Sequence, residues 1–253
     1  MIYVGCAGWS IPWQQATAFP GEGTHLQRYA RVLSAVEINS SFYRFHKPAT
    51  YARWAASTPE HFLFSVKVHR SITHYKRLRQ PELLDDFLAG VIQLGEKLGT
   101  LLLQLPPGLA FESEIVTSFF DYLRDRFDGP ITCEPRNLSW FTTEADALLT
   151  SYRVTRAAVD PPPVDAAATP GGWQKLCYVR LHGSPEVYRS SYSPAFLEEL
   201  AENLVFWSRQ AATWCIFNNT VSGAAIANAL TLNGMLNVRR EVFQSRGSLS
   251  NDA

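Results

Sequence analysis

The sequence has no excess of charge of either sign and no long apolar run. Its 253 residues contain 23 lysine and arginine residues against 23 aspartate and glutamate residues, a formal net charge of +0. A neutral chain lacks the overall positive field that sequence-independent binding to nucleic acids requires. No window approaches the roughly 20 apolar residues of a membrane-spanning helix, and we expect neither a membrane segment nor a signal peptide.

The sequence also lacks paired-cysteine motifs, a common serine-nucleophile motif and a common dinucleotide-binding motif. The four cysteines, none of which forms a C-x-x-C pair, are Cys6, Cys133, Cys177 and Cys215. Each lies in an apolar run, so we interpret them as reduced core residues of a cytoplasmic protein, with a cysteine nucleophile as the alternative. The absence of G-x-S-x-G disfavours a serine hydrolase of that type, and the absence of G-x-G-x-x-G disfavours a dinucleotide fold.

What the sequence does contain is a regular alternation of short apolar runs and helix-like segments. Runs rich in β-branched and aromatic residues begin at Ile2, Ala35, Phe62, Thr100, Ile131, Val154, Leu176 and Thr213. Their spacing ranges from 22 residues (Val154 to Leu176) to 38 residues (Phe62 to Thr100), the length of a strand, a loop and a helix. Eight such units predict a single (β/α)8 TIM barrel; the main competing fold is a doubly wound open sheet.

Helix signals support this alternation. Helices are predicted from the cap residue Thr24, from Pro81 to Gly99, from Ser113, from Ser193 and from Ser222. The sixth connection is predicted to be a long loop, because residues 160–173 contain three consecutive prolines and a Gly-Gly pair. We assign residues 1–238 to the barrel domain and residues 239–253 to a polar, mobile C-terminal tail.

Side chains that can bind a ligand occur at the end of every predicted strand, where a barrel places its active site. They are Trp9, then Glu37, Asn39 and Ser41, then Lys67 and His69, then Gln104, then Glu134 and Arg136, then Asp160, then Arg180 and His182, and finally Asn218 and Asn219. Because strand residues alternate between faces, Glu37, Asn39 and Ser41 should point inward, and Val36, Ile38 and Phe42 outward. Such convergence predicts a site for a small polar ligand.

Aromatic and glycine residues refine the expected ligand. Trp9, Trp13, Tyr43, Trp140 and Tyr192 fall in or near the predicted top loops, where their rings would stack on a sugar or a base. Loop residues Gly183, Ser222 and Gly223 are candidates for a phosphate site. We therefore expect a ligand that is sugar-like or carries phosphate or carboxylate.

Several chemistries remain open. Glu37 or Glu134 would act as general base, with His182 or Lys67 as acid, in an isomerase, a lyase or a hydrolase. Lys67 would alternatively form a Schiff base, although an ion-paired lysine is favoured over that role. A purely structural network, which would pair Glu37 with Lys67 and Glu134 with Arg180, is the alternative to a ligand site. A glycosidase pair of Glu37 and Glu134 is also compatible with the sequence.

Metal binding and nucleic-acid binding are likewise compatible with the sequence. Glu37, Glu134, Asp160 and His182 offer ligands for a divalent metal, but no characteristic spacing favours one. The sequence predicts neither a specific cofactor nor an oligomeric state. The basic stretch from His69 to Arg79 would instead serve a non-catalytic nucleotide- or RNA-binding protein, or a metal-dependent nuclease-like barrel.

The ordered motifs of the chain also resemble a known family. They are "GCAGWS", "VEINSSFYR", "TPEHFLFSVKV", "LLLQLPP", "CEPRNLSW", "YVRLHG" and "FNN", spread from about Ile2 to Leu236. Together they resemble the domain-of-unknown-function family 72 (DUF72), the YecE-like family. The resemblance implies a TIM barrel and no assigned activity. The sequence departs from the family pattern at Cys6, Ala7 and Pro135, whereas Glu134, Arg136, Arg180 and His182 are retained.

Overall fold

The computed structural model describes the backbone of residues 1–249 and the side chains of residues 1–239. The strands are β1 Ile2–Cys6, β2 Ala35–Ile38, β3 Leu63–Lys67, β4 Leu98–Gln104, β5 Ile131–Glu134, β6 Val154–Arg156, β7 Ala158–Asp160, β8 Gly171–Gly172, β9 Leu176–Leu181 and β10 Ala212–Phe217. The α-helices are α1 His25–Ala30, α2 Pro48–Ala56, α3 Leu83–Val91, α4 Ser113–Arg124, α5 Thr143–Ser151, α6 Pro194–Trp207 and α7 Ala224–Leu249. Within this part of the chain, no helix is long and apolar enough to cross a bilayer.

The protein has an α/β fold, and its strands form two sheets. One has the order β1-β10-β9-β7 and the other the order β2-β3-β4-β5-β6-β8. Every ladder is parallel except the short one between β6 and β8. All eight predicted strands are confirmed, the sixth of them divided into β6 and β7 by the single residue Ala157.

The edges of the two sheets come together at two places. Ala7, just after β1, forms an isolated parallel bridge with Glu37 of β2, and Gly8 N donates to Glu37 O at 2.9 Å. On the other side, β6 pairs with β5 while β7 pairs with β9, and only Ala157 separates the two segments. The carboxyl ends of the strands therefore lie side by side.

Alternate residues of the strands belong to different parts of the core. Val36 and Ile38 belong to the large cluster that also contains the helix residues Leu26 and Leu84. Ala35 belongs to a smaller cluster with strand residues of other segments, among them Leu102, Tyr178, Trp214 and Ile216. The outward prediction for Val36 and Ile38 is thus confirmed, since these residues pack with the helices.

The alternation predicted for residues 36–42 stops earlier than expected. Strand β2 ends at Ile38, and Ser40–Phe42 form a turn of 3-10 helix. Ser41 Oγ lies 2.6 Å from the carbonyl oxygen of Ile38 and 2.6 Å from that of Lys67, and its hydroxyl donates to these backbone acceptors. Phe42 lies under the Lys67 ammonium. The predictions that Ser41 continues the inward face and that Phe42 packs outward are wrong, because helical turns do not preserve the strand period of two.

The starts of the helices agree with the predictions from capping residues better than the lengths of the helices do. Thr24 caps α1 with a complete capping box, and Ser193 caps α6. The helix predicted from Pro81 to Gly99 is shorter, because α3 ends at Val91 and Gly95 adopts a left-handed φ of 57°. Gly99 lies instead in β4, where a Cβ would stand 2.3 Å from the Trp214 ring.

Two helices, α2 and α5, were not predicted. Both have nine residues; α2 begins with Pro48, and Thr142 caps α5. The sixth connection has no α-helix, as expected, and contains a 3-10 turn at Asp165–Ala168 and strand β8. Helix α7 continues to Leu249 and so includes the start of the predicted tail; residues 250–253 lie outside the described residues. The division at residue 238 stays a prediction.

Candidate functional site

Five of the predicted side chains meet at the carboxyl ends of the strands. Glu37 lies in β2, Lys67 ends β3, Glu134 ends β5, Arg180 lies in β9, and His182 follows β9. Glu37, Glu134, Arg180 and His182 are 0% exposed, and Lys67 is 6% exposed. So many buried ionisable groups require mutual pairing or a ligand, because an unpaired buried charge costs several kcal/mol. We call these five residues the strand-end cluster.

Arg180 occupies the centre of this cluster. Its Nε and Nη2 donate to Glu37 Oε2 and Oε1, each at 2.8 Å, and its Nη1 donates to Glu134 Oε2 at 3.1 Å. Burial alone would lower the pKa of Arg180, but Glu37 and Glu134 raise it above its ordinary value. A permanently charged guanidinium thus holds both carboxylates in fixed positions. The predicted contact between Glu134 and Arg180 is present.

Glu134 has more partners than any other member of the cluster. Besides Arg180, it forms an ion pair with Arg136, accepts from Gln104 Nε2 at 3.0 Å and lies 3.2 Å from His182 Nε2. Burial would raise the pKa of Glu134, but Arg180, His182 and Arg136 hold it well below its usual range. A carboxylate that is held ionised in this way is a weak base, so the geometry suits Glu134 for orienting His182 rather than for taking a proton itself.

His182 is held from both sides of its ring. Nδ1 lies 3.0 Å from Asn218 Nδ2. Nε2 lies 2.6 Å from Arg136 Nη2 and 3.2 Å from Glu134 Oε1. The Asn218 Nδ2 group can only donate, so in the neutral ring Nδ1 accepts from it and Nε2 carries the proton, which it donates to Glu134 Oε1. Burial lowers the pKa of His182 despite Glu134, which favours a neutral imidazole able to accept and return a proton.

Lys67 is bound differently from the other members. The ion pair between Lys67 and Glu37 that a purely structural network would contain is not formed, because Arg180 occupies both oxygens of Glu37. Lys67 Nζ lies 4.0 Å from the centroid of the Phe42 ring. It makes no hydrogen bond or ion pair with any other residue whose side chain is described, residues 1–239. Burial, together with Arg180, lowers the pKa of Lys67 to about 8 although Glu37 and Glu134 oppose this.

Sequence reasoning missed two polar residues deeper in the same site. The Tyr178 hydroxyl lies 3.1 Å from Glu37 Oε2 and 2.9 Å from Ser65 Oγ, and both side chains are fully buried. The signal was present, since Tyr178 precedes Arg180 by two residues and Ser65 precedes Lys67 by two. Residues separated by two share a strand face, so the face that carries the charged residues also carries these hydroxyls.

Three of the predicted ligand-binding residues contact the cluster, and a fourth, Asn39, has an unsatisfied amide within the described part of the chain. Gln104 and Arg136 contact Glu134, and Asn218 contacts His182. The Arg136 side chain retains 20% of its surface, so it forms the open side of this group. Asn39 follows β2, and its Oδ1 is buried without a hydrogen-bond partner among the described residues. An unsatisfied buried amide oxygen is a candidate acceptor for a ligand N–H or O–H.

The remaining predicted residues make their contacts elsewhere. Trp9 packs edge-to-face against Trp54 at 5.0 Å. His69 stacks on Phe45 at 4.3 Å. Asp160 accepts from the Tyr192 hydroxyl at 2.8 Å and lines a cavity against α6.

Tyr43 and Asn219 are the last two predicted ligand-binding residues that make their contacts elsewhere. Tyr43 is 58% exposed. Asn219 Nδ2 donates to Ser190 O and to Asn228 Oδ1, both at 2.9 Å, while Asn219 Oδ1 has no partner in the described part of the chain. Apart from a backbone hydrogen bond from His182 N to Asp160 O at 2.7 Å, the side-chain contacts found for Trp9, Tyr43, His69, Asp160 and Asn219 are with residues outside the cluster.

The predicted metal ligands do not converge. Asp160 is bound to Tyr192, and the carboxylates of Glu37 and Glu134 are occupied by guanidinium groups. Across the residues described, no group of three or more His, Cys, Asp or Glu side chains is arranged to hold a metal ion. Glu37 and Glu134 each already have a cationic partner and Asp160 makes its contact elsewhere, so this donor set does not suit a divalent cation.

Of the three residues predicted for a phosphate site, Gly223 lines a cavity of about 280 Å³ beside the N-terminus of α7. Its lining includes Gly8, Ser10, Thr220 and Gly223. Ser222 Oγ is turned away to the carbonyl of Arg189. A phosphate site at this helix end stays a prediction.

An exposed surface of different character follows β2 and β3. The Arg70 guanidinium lies 5.4 Å from the Tyr43 ring and 5.5 Å from the Tyr75 ring, and both rings are more than half exposed. Residues 43–79 contain eight lysine or arginine residues and one glutamate. Ser71–Tyr75 form a turn of π-helix, a form that is frequent at functional sites. We call Tyr43, Arg70 and Tyr75 the Arg-Tyr surface.

Comparisons with known proteins agree on one family. The sequence model described as "Protein of unknown function DUF72" matches residues 3–251. The UPF0759 protein YunF of Bacillus subtilis is 24% identical over 94% of this chain and 95% of its own length. The UPF0759 protein YecE of Escherichia coli K12 is 32% identical over 66% of this chain and 62% of its own length.

Solved structures agree with the fold. A DUF72 family protein from Enterococcus faecalis V583 aligns with a TM-score of 0.79 at 24% identity, covering 94% of this chain and 96% of that chain. A DUF72 family protein from Thermotoga maritima MSB8 aligns with a TM-score of 0.73 at 26% identity, covering 94% of this chain and 99% of that chain. The similarity to both proteins extends over nearly the full length of the chain.

Proposed function

The chain belongs to the DUF72 family of proteins of unknown function, and on that premise we propose that it is an enzyme acting on a small ligand with an anionic group. The ligand binds at the carboxyl ends of the strands, and His182 supplies acid/base chemistry there. The substrate class rests on the charge of the strand-end cluster, and the reaction class rests on the environment of His182.

The charge balance of the site carries this proposal. Three cationic side chains, Lys67, Arg136 and Arg180, face two carboxylates, Glu37 and Glu134, an excess of one positive charge. Four of these five groups are almost completely buried. A buried excess charge is costly unless a counterion neutralises it. Phosphate or carboxylate on a ligand would supply that counterion, with Arg136 on the open side as the first contact.

The chemistry follows from His182 and its neighbours. A neutral imidazole between an ionised carboxylate and a guanidinium is suited to moving a proton in either direction. Proton abstraction next to a carbonyl, as in an isomerase or a lyase, needs such a base together with nearby positive charge to stabilise an enolate. Arg136 and Lys67 are candidates for that stabilising role. Hydrolysis by the pair Glu37 and Glu134 is less well supported, because Arg180 occupies both carboxylates.

A ligand-binding experiment tests the proposal. Thermal denaturation of the full chain would be followed with phosphate, pyruvate, a sugar phosphate and an uncharged sugar. We expect the anions to raise the melting temperature and the neutral sugar to have no effect. Arg136→Met should remove most of the shift, whereas the matched control Arg126→Met should retain it, because Arg126 is on the surface with Asp85. Equal shifts in both variants would contradict the proposal.

We also propose that the two sheets form one closed eight-stranded barrel. The Ala7–Glu37 bridge and the near-continuity of β6 and β7 support this closure. Amide hydrogen exchange tests it, because β1 and β2 should be as strongly protected as the central strands of a sheet. Fast exchange confined to β1 and β2 would indicate open edges instead. The cytoplasmic location belongs to the same proposal and is supported by four buried, free cysteines.

A second candidate function is nucleotide or RNA binding at the Arg-Tyr surface. The specific observation is that one guanidinium lies between two exposed tyrosine rings in a segment with a large excess of positive charge. Bases stack on such rings and phosphates bind such cations. Fluorescence anisotropy with a short labelled oligoribonucleotide tests it: Arg70→Met should weaken binding about tenfold and reduce its salt dependence. Binding that is lost only in Arg136→Met would argue for the strand-end cluster instead.

A further inference from the structure

We infer that Lys67 is a covalent catalytic residue, whose amine forms a Schiff base with an aldehyde or ketone carbonyl of the anionic ligand. The inference rests on the proposed function, because it assigns the substrate class of that same site. It starts from the position of Lys67 at the end of β3, where its Nζ faces the ring of Phe42 rather than a carboxylate. The substrate would therefore carry both a carbonyl and an anionic group.

The structure leaves Lys67 without the partner that a structural lysine would have. Its nearest sequence-predicted partner, Glu37, gives both oxygens to Arg180 at 2.8 Å. A lysine whose role was only to neutralise Glu37 would compete poorly with this bidentate guanidinium. Lys67 is nonetheless only 6% exposed. A buried amine with an apolar neighbour and no hydrogen bond within the described part of the chain is free to react.

Burial and neighbouring cations increase the fraction of Lys67 in its neutral, nucleophilic form, although the amine is still mainly a cation at neutral pH. Burial and the neighbouring Arg180 and Arg136 lower its pKa to about 8, while Glu37 and Glu134 oppose the shift. His74, another titratable side chain in contact with Phe42, is itself affected by the charge of Lys67. Desolvation and a neighbouring cation are the two ways in which proteins activate a lysine for imine formation. Both act on this residue.

The reaction is balanced with groups that the proposal already names. The Lys67 nitrogen attacks the carbonyl carbon, a C–N bond forms, and the proton lost by nitrogen is transferred to the former carbonyl oxygen to give a carbinolamine. The carbinolamine then loses its hydroxyl with one proton as water, and a C=N bond forms. Uptake of one proton gives the iminium ion. Neutral His182 is the cluster residue able to relay these protons, and no oxidant or reductant is needed.

The site also suits the product of this step. An iminium ion carries a positive charge, and Glu37 and Glu134 are the carboxylates whose charges act on Lys67. The iminium withdraws electrons from the adjacent carbon and so acidifies its C–H bond. A neutral His182 could then remove that proton, which connects the imine to the proposed isomerase or lyase chemistry.

Reductive trapping tests the inference on the full chain. The protein would be incubated at about pH 8 with cyanoborohydride and, in separate reactions, pyruvate, glyoxylate, dihydroxyacetone phosphate and the uncharged carbonyl acetone. Mass spectrometry of the intact protein and of its peptides would locate each adduct. We expect an anionic probe to modify Lys67 roughly tenfold or more faster than any exposed lysine, because a larger fraction of Lys67 is unprotonated. Acetone should react far more slowly.

Variants and a competitor separate the possible outcomes. Lys67→Arg should abolish the fast adduct, and the exposed control Lys76→Met should retain it. If Lys67→Arg does not fold, protection of the wild-type Lys67 peptide by inorganic phosphate gives the same information, and protection is expected. Adducts spread over exposed lysines, with Lys67 unmodified, would overturn the inference. Such a result with anion-induced stabilisation intact would leave the proposed function standing, whereas loss of that stabilisation would refute both.

Discussion

The two sides of the strand-end cluster differ in whether their buried charges have partners of opposite charge. On the paired side, Arg180 is bound by Glu37 and Glu134, and His182 lies between Glu134 and Asn218. On the open side, where Arg136 is partly exposed and its charge acts on Lys67, Lys67 faces an aromatic ring and its ammonium makes no hydrogen bond or ion pair with the described residues. The paired side has the properties of a rigid framework. The open side retains unsatisfied groups of the kind that a ligand satisfies.

The largest effect is expected from breaking the paired side. Arg180→Met would leave Glu37 and Glu134 buried without their common cation. We expect the free energy of unfolding to fall by about 3–5 kcal/mol, measured by urea denaturation at neutral pH. The control Arg126→Met removes a surface ion pair and should cost about 0–1 kcal/mol. Similar losses in both variants would show that the paired side is not a structural framework.

Removing the buried cation of the open side should change the free energy of unfolding in the opposite direction. Lys67→Met removes a buried cation that has no carboxylate partner and replaces it with an apolar chain of similar length. We expect the free energy of unfolding to rise by about 1–3 kcal/mol at neutral pH, while anion binding and adduct formation are lost. A destabilisation like that of Arg180→Met would instead show that Lys67 is a structural cation.

The pH dependence of stability tests whether Lys67 is a buried cation without a partner. The pKa of Lys67 is lowered from 10.5 to about 8. Between these two values the unfolded chain binds the lysine proton and the folded protein does not, so this group makes stability rise with pH. The advantage of Lys67→Met over the wild type should therefore shrink by about 1–3 kcal/mol between pH ~8 and pH ~10.5. Urea denaturation across that range checks it, and a constant difference would argue that Lys67 titrates normally.

A smaller effect is expected beneath the cluster. Tyr178→Phe removes a hydroxyl that contacts Glu37 and Ser65. We expect a loss of about 1–2 kcal/mol in stability, since the partner groups stay buried. The matched variant Tyr152→Phe removes a contact with the exposed Asp121 and should cost less than about 1 kcal/mol. Anion binding should change little in either variant, because neither hydroxyl belongs to the open side.

The sequence predicted which residues meet but only part of how they pair, because the contact of Glu134 with Arg180 is present and that of Glu37 with Lys67 is not. Polar residues separated by two, such as Arg180 and His182, indicated a common face, and the structure brings both to the cluster. The pair of Lys67 with Glu37 was inferred from neighbouring strands. It failed because Arg180 reaches Glu37 from the other sheet and binds it through two nitrogens. The Asp160 carboxylate lies apart from the paired charges, because alternation does not reveal which of the two faces points inward, and Val159 belongs to the smaller strand cluster instead. Its role in ligand binding stays a prediction.

The sequence alone determined the order of strands, most helix starts and the set of charged residues at the strand ends, because these depend on short-range periodicity and capping. It also contained Tyr178 and Ser65 at the correct period. Only the tertiary structure decided that Arg180 binds Glu37 as well as Glu134 and that the Lys67 ammonium has no hydrogen-bonded partner among the described residues. Competition among buried charges depends on distances and directions between strands far apart in the chain, and no local pattern records them. That competition is what leaves Lys67 available for a ligand.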